Sequence, residues 1–89
     1  MEIKVRDILG EELTVEDAIL LREIIRNNLN VGVLLDFEGF ERVPSTFINL
    51  LVGELLNSFG RDFVFKQISV KNLSNYTDYS RVVLGTTFQ

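Results

Sequence analysis

The hydrophobic and polar positions along the chain divide it into alternating strand-like and helix-like stretches. Residues 2–6 alternate polar and apolar side chains, which is the pattern of a half-buried strand with one wet face. Residues 31–37 form a nearly continuous apolar run, which is typical of a central parallel strand covered on both faces. Residues 63–70 are rich in aromatic and β-branched side chains and predict a third strand.

Helical spacing of apolar residues predicts a first helix between the first two strands. Thr14 is placed to cap its free backbone amides, and Asp17 stands three residues later in a variant of the capping box. The helix is predicted to end at Asn27 and Asn28. Its predicted buried face comprises Val15, Ala18, Ile19, Leu20, Leu21, Ile24, Ile25 and Leu29.

Two further helices are predicted, one before and one after the third strand along the chain. The second helix runs from about Ser45 to Phe59, and Pro44 fixes its entry while Gly60 terminates it. Its predicted apolar stripe comprises Phe47, Ile48, Leu51, Val52, Leu55 and Phe59. Asn75 is predicted to cap the third helix, with Asp78 at the capping-box position. The predicted core face of that helix comprises Tyr76, Tyr79, Val82, Val83 and Phe88.

The order of these elements predicts an α/β fold. Strands and helices that alternate with short links favour right-handed crossovers and a parallel sheet. We therefore expect a mostly parallel sheet of three to four strands alternating with three helices. A chain of 89 residues has room for one core, so residues 1–89 are predicted to form a single domain.

Composition narrows the classes of function. The formal net charge is −4 and no stripe of Lys and Arg occurs, so nucleic acid is not an expected partner. No apolar run approaches the roughly 20 residues that span a bilayer, and no signal peptide pattern is present, so we expect a cytoplasmic protein without a membrane segment. The sequence contains no Cys and no His, which removes thiol chemistry and the commonest acid–base residue and metal ligand. We expect neither enzymatic activity nor a cofactor.

The strongest candidate for function lies where the central strand ends and the second helix begins. Asp36 ends the strand, and Ser45 and Thr46 begin the helix. In open α/β sheets, binding sites gather at the carboxyl ends of the strands. A purely structural interpretation is that Asp36 accepts loop amides and the two hydroxyls cap the helix. A magnesium site using Asp36 and Glu38 is a further alternative, although no third acid stands nearby in the sequence.

The same region carries a resemblance to a known family. The segment 35–48, with Leu35-Asp36 at the strand end and Gly39 in the turn, resembles the central motif of STAS domains, the fold of anti-sigma-factor antagonists. The chain is most similar to a group of short, uncharacterised bacterial STAS-like proteins. Two further motifs match that group, namely residues 10–14, Gly-Glu-Glu-Leu-Thr, and residues 53–55, Gly-Glu-Leu. The resemblance extends over nearly the whole chain.

The resemblance implies a regulatory role. In the antagonists, a partner kinase that is also the anti-sigma factor phosphorylates a serine at the helix start. By position, Thr46 falls on that residue and Ser45 on the one before it. Pro44 stands where the family has Asp, and Phe47 stands where it has Gly. A phosphate would add roughly −1.5 to −2 charges to a docking surface.

The sequence thus leads to two hypotheses about function. The first is a non-enzymatic protein-interaction module whose partner is a histidine-kinase-type ATPase. Its implied site comprises Asp36, Gly39, Ser45, Thr46, Phe47 and Asn49. The second is a small-ligand or nucleotide-binding domain that uses a pocket above Asp36 and the amides of residues 45–47. Under either hypothesis, two copies of the protein could also form a homodimer through a sheet edge.

Overall fold

The computed structural model describes residues 1–85 and is a mixed α/β fold. The elements are, in chain order, β1 (Glu2–Lys4), α1 (Val5–Leu9), α2 (Val15–Asn28), β2 (Val33–Asp36), α3 (Ser45–Phe59), α4 (Arg61–Gln67), β3 (Ile68–Lys71) and α5 (Tyr76–Leu84). The three strands form one parallel sheet in the order β1-β2-β3. The predicted α/β class and parallel sheet are confirmed, and β2 occupies the predicted central position.

The two faces of the sheet have different environments. Ile3, Leu35 and Val70 align across the three strands, and their face joins the apolar residues of the helices in one core. The opposite face carries two polar rows. These rows are Glu2, Leu34 and Ser69, and Lys4, Asp36 and Lys71. The central strand was expected to be covered on both faces, and on the second face long charged side chains provide the cover over Asp36.

Helix α2 has the predicted cap but a narrower buried face than predicted. The Thr14 hydroxyl accepts a hydrogen bond from the Asp17 N–H at 3.2 Å, and the Asp17 carboxylate accepts one from the Thr14 N–H at 3.1 Å. Leu21 and Ile25 are buried as predicted. Three residues predicted to lie in the core are instead exposed, namely Val15, Ile19 and Leu20. Half-buried arginines replace them at the contact with α3, because ion pairs from Arg22 and Arg26 to Glu54 join the two helices.

Helix α3 has the predicted bounds. Gly60 follows it with a φ of 87° and ends it, as its position indicated. The predicted stripe is buried except for Phe59, which is exposed beside Phe63 with ring centroids 6.0 Å apart.

Two short helices occupy residues that were predicted as strands or turn. Helix α1 begins at Val5, and helix α4 includes Phe63 and Phe65. Strand β2 has only four residues, so it offers no backbone partners to these extra stretches of chain. Residues 61–67 therefore satisfy their hydrogen bonds within a helix, and β3 begins only at Ile68.

Helix α5 begins where predicted, at Tyr76, but without the predicted cap. The Asn75 side chain makes no capping hydrogen bond and is instead buried against another segment of the chain. Tyr79 and Val83 are buried as predicted, whereas Tyr76 is exposed. Phe88, also predicted to face the core, lies outside the described residues. Within residues 1–85, no helix combines the length and apolar character that crossing a bilayer requires.

Candidate functional site

Asp36 is a buried carboxylate held by the protein itself. It lies at the end of β2 and is 3% exposed. Its Oδ1 accepts hydrogen bonds from Asn72 Nδ2 at 2.8 Å and from the Glu38 N–H at 3.0 Å. These hydrogen bonds, with the Lys71 and Lys4 cations, hold the pKa of Asp36 below its ordinary value, against the opposing effect of burial. The prediction that Asp36 accepts a loop amide is confirmed.

Long charged side chains from the two outer strands meet over β2 and cover Asp36. Lys71 Nζ lies 3.0 Å from the Glu2 carboxylate, and Lys4 Nζ lies 3.5 Å from Asp36 Oδ2. The bond to Glu2 raises the pKa of Lys71. Since β1 and β3 flank β2, the Glu2–Lys71 pair spans the central strand. Cations and N–H donors therefore surround Asp36, an environment unsuited to a divalent cation.

Ser45 and Thr46 are the first two residues of α3, and both are exposed. Pro44 occupies the capping position, where no side chain bonds the helix. In the described part of the chain, no hydrogen bond reaches the backbone N–H groups of residues 45–47. The prediction that the two hydroxyls cap the helix is wrong, because both residues already lie inside it. The start of α3 thus presents free amides beside two free hydroxyls.

The two hydroxyls lie on different sides of α3. Residues four apart are neighbours on a helix surface, so Thr46 lies above Leu50 and Ser45 lies above Asn49. Asn49 Nδ2 donates a hydrogen bond to the Ser45 carbonyl at 3.0 Å. Leu50 borders α2, since Arg22 Nη1 donates to the Leu50 carbonyl at 3.5 Å. Thr46 therefore lies nearer to α2, and Ser45 is turned away from it by about 100° around the helix axis.

Gly39 shapes the turn between β2 and α3. Its φ is 97°, a conformation that glycine adopts without steric cost. Arg6 Nη1 donates to the Gly39 carbonyl at 2.8 Å, and the Arg6 guanidinium lies over the Phe40 ring at 5.9 Å. A Cβ at position 39 would come within 2.6 Å of Arg6 Nη1. Gly39 therefore holds the turn against α1.

Phe47 is a core residue. Its side chain is 3% exposed and belongs to the central apolar cluster with Leu51 and Val43. It anchors the first turn of α3 and offers no surface to a partner. The bulky residue at this position, where the resembling family has glycine, is thus accommodated inward and leaves the exposed hydroxyls uncovered.

Residues after β3 fix the path of the chain into α3. Asn75 Nδ2 donates to the Val43 carbonyl at 2.7 Å, and Asn75 Oδ1 accepts from the Val43 N–H at 3.2 Å. Ser74 donates to the Glu41 carbonyl, and Arg42 pairs with Asp78 at 3.0 Å. Sequence reasoning assigned Asn75 to a helix cap. No local sequence signal indicates its role, because its partner lies 32 positions away.

The cavity beside Asp36 does not include the two hydroxyls. The cavity beside Asp36 measures about 140 Å³ and is lined by Lys4, Arg6, Asp7, Asp36 and Glu38. None of residues 45–47 lines it. Ligand pockets for drug-sized molecules usually measure roughly 300–1,000 Å³. The cavity beside Asp36 is smaller than this and does not include the amides of α3.

Metal chemistry also finds no assembled site among residues 1–85. No group of three or more acidic residues lies close enough to hold an ion there. The two carboxylates considered for magnesium have different environments, since Asp36 is hydrogen-bonded within the protein and Glu38 is exposed. The remaining candidate site is the exposed start of α3 with its two hydroxyls.

Comparison with known proteins identifies the family. The model of the family described as a STAS-like domain of unknown function (DUF4325) matches residues 17–78. The matched segment runs from the first turn of α2 into α5 and contains Asp36, the turn at Gly39 and the start of α3. Neither the curated proteins nor the solved structures that were compared contain a significant match. The family match covers most of the chain, and the protein therefore belongs to the STAS-like domains of unknown function.

Proposed function

We propose that this protein is a non-enzymatic regulatory module that binds another protein through the start of α3 and is switched by phosphorylation there. One observation carries the proposal, namely that two exposed hydroxyls, on Ser45 and Thr46, stand at a helix start whose backbone amides are unpaired among the described residues. The resemblance to anti-sigma-factor antagonists supplies the class of partner, a histidine-kinase-type ATPase, and a cytoplasmic setting.

The electrostatics of this helix start suit a phosphate. The positive end of the helix dipole and the free N–H groups stabilise a negative charge. Helix α2 has Glu16 and Asp17 in its first turn, whereas the first turn of α3 contains no acidic residue. A phosphate of roughly −1.5 to −2 charges would therefore meet attraction rather than repulsion within its own helix.

The surrounding loop is held firmly enough to keep its shape when the charge changes. Arg6 bonds the Gly39 carbonyl on one side, and Asn75 bonds both polar backbone groups of Val43 on the other. Phosphorylation is therefore expected to change the charge of the surface without changing the fold. A partner packed on this surface would have to dehydrate the phosphate, and complex formation would weaken.

Thr46 is the better placed of the two hydroxyls for such a switch. It lies above Leu50, which is 38% exposed. Arg22 of α2 contacts the Leu50 carbonyl of α3. Ile19 lies one turn before Arg22 and Thr46 lies one turn before Leu50, so Ile19 is close to the level of Thr46. Ile19 is 42% exposed, and these side chains give the partner an apolar contact beside the hydroxyl. Ser45 instead adjoins the amide of Asn49.

Phosphorylation by the proposed partner is the direct test of the switch. The protein is incubated with a purified histidine-kinase-type ATPase from the same organism, Mg²⁺ and ATP, and the modified residue is located by mass spectrometry. We expect phosphate on Thr46, none on the Thr46→Val variant, and loss of the complex in gel filtration after modification. Absence of both phosphate and complex with every such ATPase of the organism would remove the proposal.

A charge placed elsewhere controls for non-specific repulsion. Asn27 is exposed near the far end of α2. The Asn27→Glu variant should bind the ATPase as the unmodified protein does. Equal weakening by Asn27→Glu and Thr46→Glu would mean that net charge, rather than the start of α3, determines binding.

Self-association is a separate proposal. Within residues 1–85, β1 and β3 each pair on one side only, which leaves two sheet edges. Sedimentation velocity at rising protein concentration tests for a homodimer through these edges. A single monomeric species at every concentration would contradict it.

A further inference from the structure

A cavity between α3 and α5 extends from Asn49, one turn after the start of α3, to Gly85, and Asp36 does not line it. It measures about 540 Å³, which falls in the range of small-molecule sites. Leu56 and Val82 form its apolar wall. Asn49 and Asn57 contribute side-chain amides from α3, so polar and apolar groups converge on one groove. We call this the α3/α5 groove.

Two arginines give the α3/α5 groove a positive charge. Arg61 and Arg81 line it, and none of its lining residues within 1–85 is acidic. This concentration of positive charge is unusual in a chain with a formal net charge of −4. Guanidinium groups bind carboxylate and phosphate groups in a bidentate manner. The charge of the groove thus indicates an anionic ligand.

Arg61 is held in a fixed position by the end of α5. Its Nη1 donates to the carbonyls of Val82 at 2.7 Å and Val83 at 3.0 Å. Gly85 permits this approach, because a Cβ there would lie 2.8 Å from Arg61 Cζ. Only one guanidinium nitrogen is used in these bonds, so the remaining N–H groups keep their capacity to bind a ligand. The ligand would meet one cation that is already oriented.

Gly53 adds an independent observation. It lies in the middle of α3 and lines the groove, although glycine weakens a helix interior. A Cβ at this position would have no heavy atom within 4 Å, so no packing within the described residues requires the glycine. The absence of a side chain keeps the groove open at its centre.

We propose that the α3/α5 groove binds a small organic anion. Its carboxylate or phosphate group would pair with Arg81 and Arg61, the amides of Asn49 and Asn57 would donate further hydrogen bonds, and its apolar part would lie on Leu56 and Val82. This site goes beyond the docking surface proposed above and does not depend on it.

Nuclear magnetic resonance titration of the isotope-labelled full chain tests the site. The probes are phenyl phosphate, benzoate and inorganic phosphate. We expect saturable shifts of the Gly53 amide and of the Asn57 side-chain amide, with phenyl phosphate or benzoate binding at least tenfold more tightly than inorganic phosphate. Equal affinity for inorganic phosphate, or shifts that do not saturate, would overturn the proposal.

Matched variants separate the groove from general charge effects. Arg81→Ala should weaken binding tenfold or more, whereas Lys66→Ala, which removes an exposed cation outside the groove, should leave it unchanged. Gly53→Val should block the organic anions by filling the groove. Equal effects of Arg81→Ala and Lys66→Ala would overturn the proposal.

A chain that ends at Gly85 as a C-terminal amide, which adds no carboxylate beside Arg61, tests whether residues 86–89 compete for the groove. It should bind the same probes within twofold. Binding that occurs only after residues 86–89 are removed would show that the protein's own chain is the occupant, and would also overturn the proposal.

Discussion

At the scale of single residues, several polar groups have roles that depend on what surrounds them. The Asp36 carboxylate accepts hydrogen bonds from Asn72 and from the Glu38 N–H, so its negative charge is stabilised by groups of the protein itself. The Tyr79 hydroxyl is the opposite case, because it is buried without a hydrogen-bond partner in the described part of the chain. Burial and the neighbouring Tyr76 raise the pKa of Tyr79. One buried polar group thus stabilises the fold and the other is a cost to it.

Removing the Tyr79 hydroxyl should stabilise the protein. The Tyr79→Phe variant keeps the ring in the core and eliminates an unsatisfied polar atom, so we expect its free energy of unfolding to rise by about 1 kcal/mol. Urea denaturation measures the change. The control is Tyr76→Phe, an exposed position, with an expected change within about 0.5 kcal/mol. A loss of more than about 1 kcal/mol in Tyr79→Phe would show that the hydroxyl is bonded.

Gly39→Ala should destabilise the turn for two reasons that a second variant can separate. The positive φ costs about 1–2 kcal/mol for alanine, and the new Cβ would also displace the Arg6 guanidinium. Gly39→Ala in an Arg6→Ala background therefore measures the backbone cost alone, and Gly39→Ala in the unmodified protein should exceed it in thermal or urea unfolding. Equal losses would mean that the Arg6 contact contributes nothing.

At the scale of elements, the α3 surface depends on α5. The Asn75 side-chain amide bonds both the N–H and the carbonyl of Val43, where a neighbouring backbone would otherwise do so. The Arg42–Asp78 ion pair is a second link to α5. The chain entering α3 is thus positioned by a residue that follows the last strand. Substitutions at Asn75 or Asp78 should therefore alter the conformation of the start of α3, although neither residue belongs to α3.

Asn75→Ala should be one of the most destabilising single polar substitutions. It leaves the N–H and carbonyl of Val43 buried without partners, at a cost of about 2–4 kcal/mol in the free energy of unfolding. Asn49→Ala is the matched control, because it removes an exposed hydrogen bond within one helix and should cost less than about 1 kcal/mol. Both values come from urea denaturation. A cost below about 1 kcal/mol for Asn75→Ala would contradict the assigned role.

Elements with a strong local pattern were predictable from the sequence, and those set by tertiary contacts were not. Helix α3 begins and ends as predicted because Pro44, Gly60 and a long apolar stripe act locally. Residues 61–67 carry a strand-like composition, yet the short β2 leaves them without a partner strand. In the candidate site, Ser45 and Thr46 were placed correctly at the helix start. The ion pairs of Asp36 with Lys4 and Lys71 follow from the alignment of the three strands, which sequence spacing alone did not reveal.

At the scale of the whole molecule, the helices cover one face of the sheet and ion pairs cover the other. The pairs Glu2–Lys71 and Lys4–Asp36 extend over the central strand. Their charges give the fold a defined pH dependence. The pKa of Asp36 is lowered in the folded state, so its stabilising contribution is present above about pH 3.8 and is lost as the pH falls through the lowered value. The pKa of Lys71 is raised, so its contribution is present below pH 10.5 and lost above that.

The Asp36→Asn variant should lose the acid part of this dependence. Thermal unfolding between pH 2 and 7 measures it. We expect the melting temperature of the unmodified protein to fall more steeply below about pH 3.8 than that of the variant, because only the unmodified protein must protonate a bonded carboxylate. Parallel curves would mean that other carboxylates determine acid unfolding.

The central claim is that the start of α3 is a charge-switched docking surface. Isothermal titration of a histidine-kinase-type ATPase from the same organism with the unmodified protein, Thr46→Glu and Thr46→Val tests it most directly. We predict that Thr46→Glu weakens binding tenfold or more, that Thr46→Val binds as the unmodified protein does, and that both variants unfold within about 0.5 kcal/mol of it. Binding of Thr46→Glu with unchanged affinity would contradict the account.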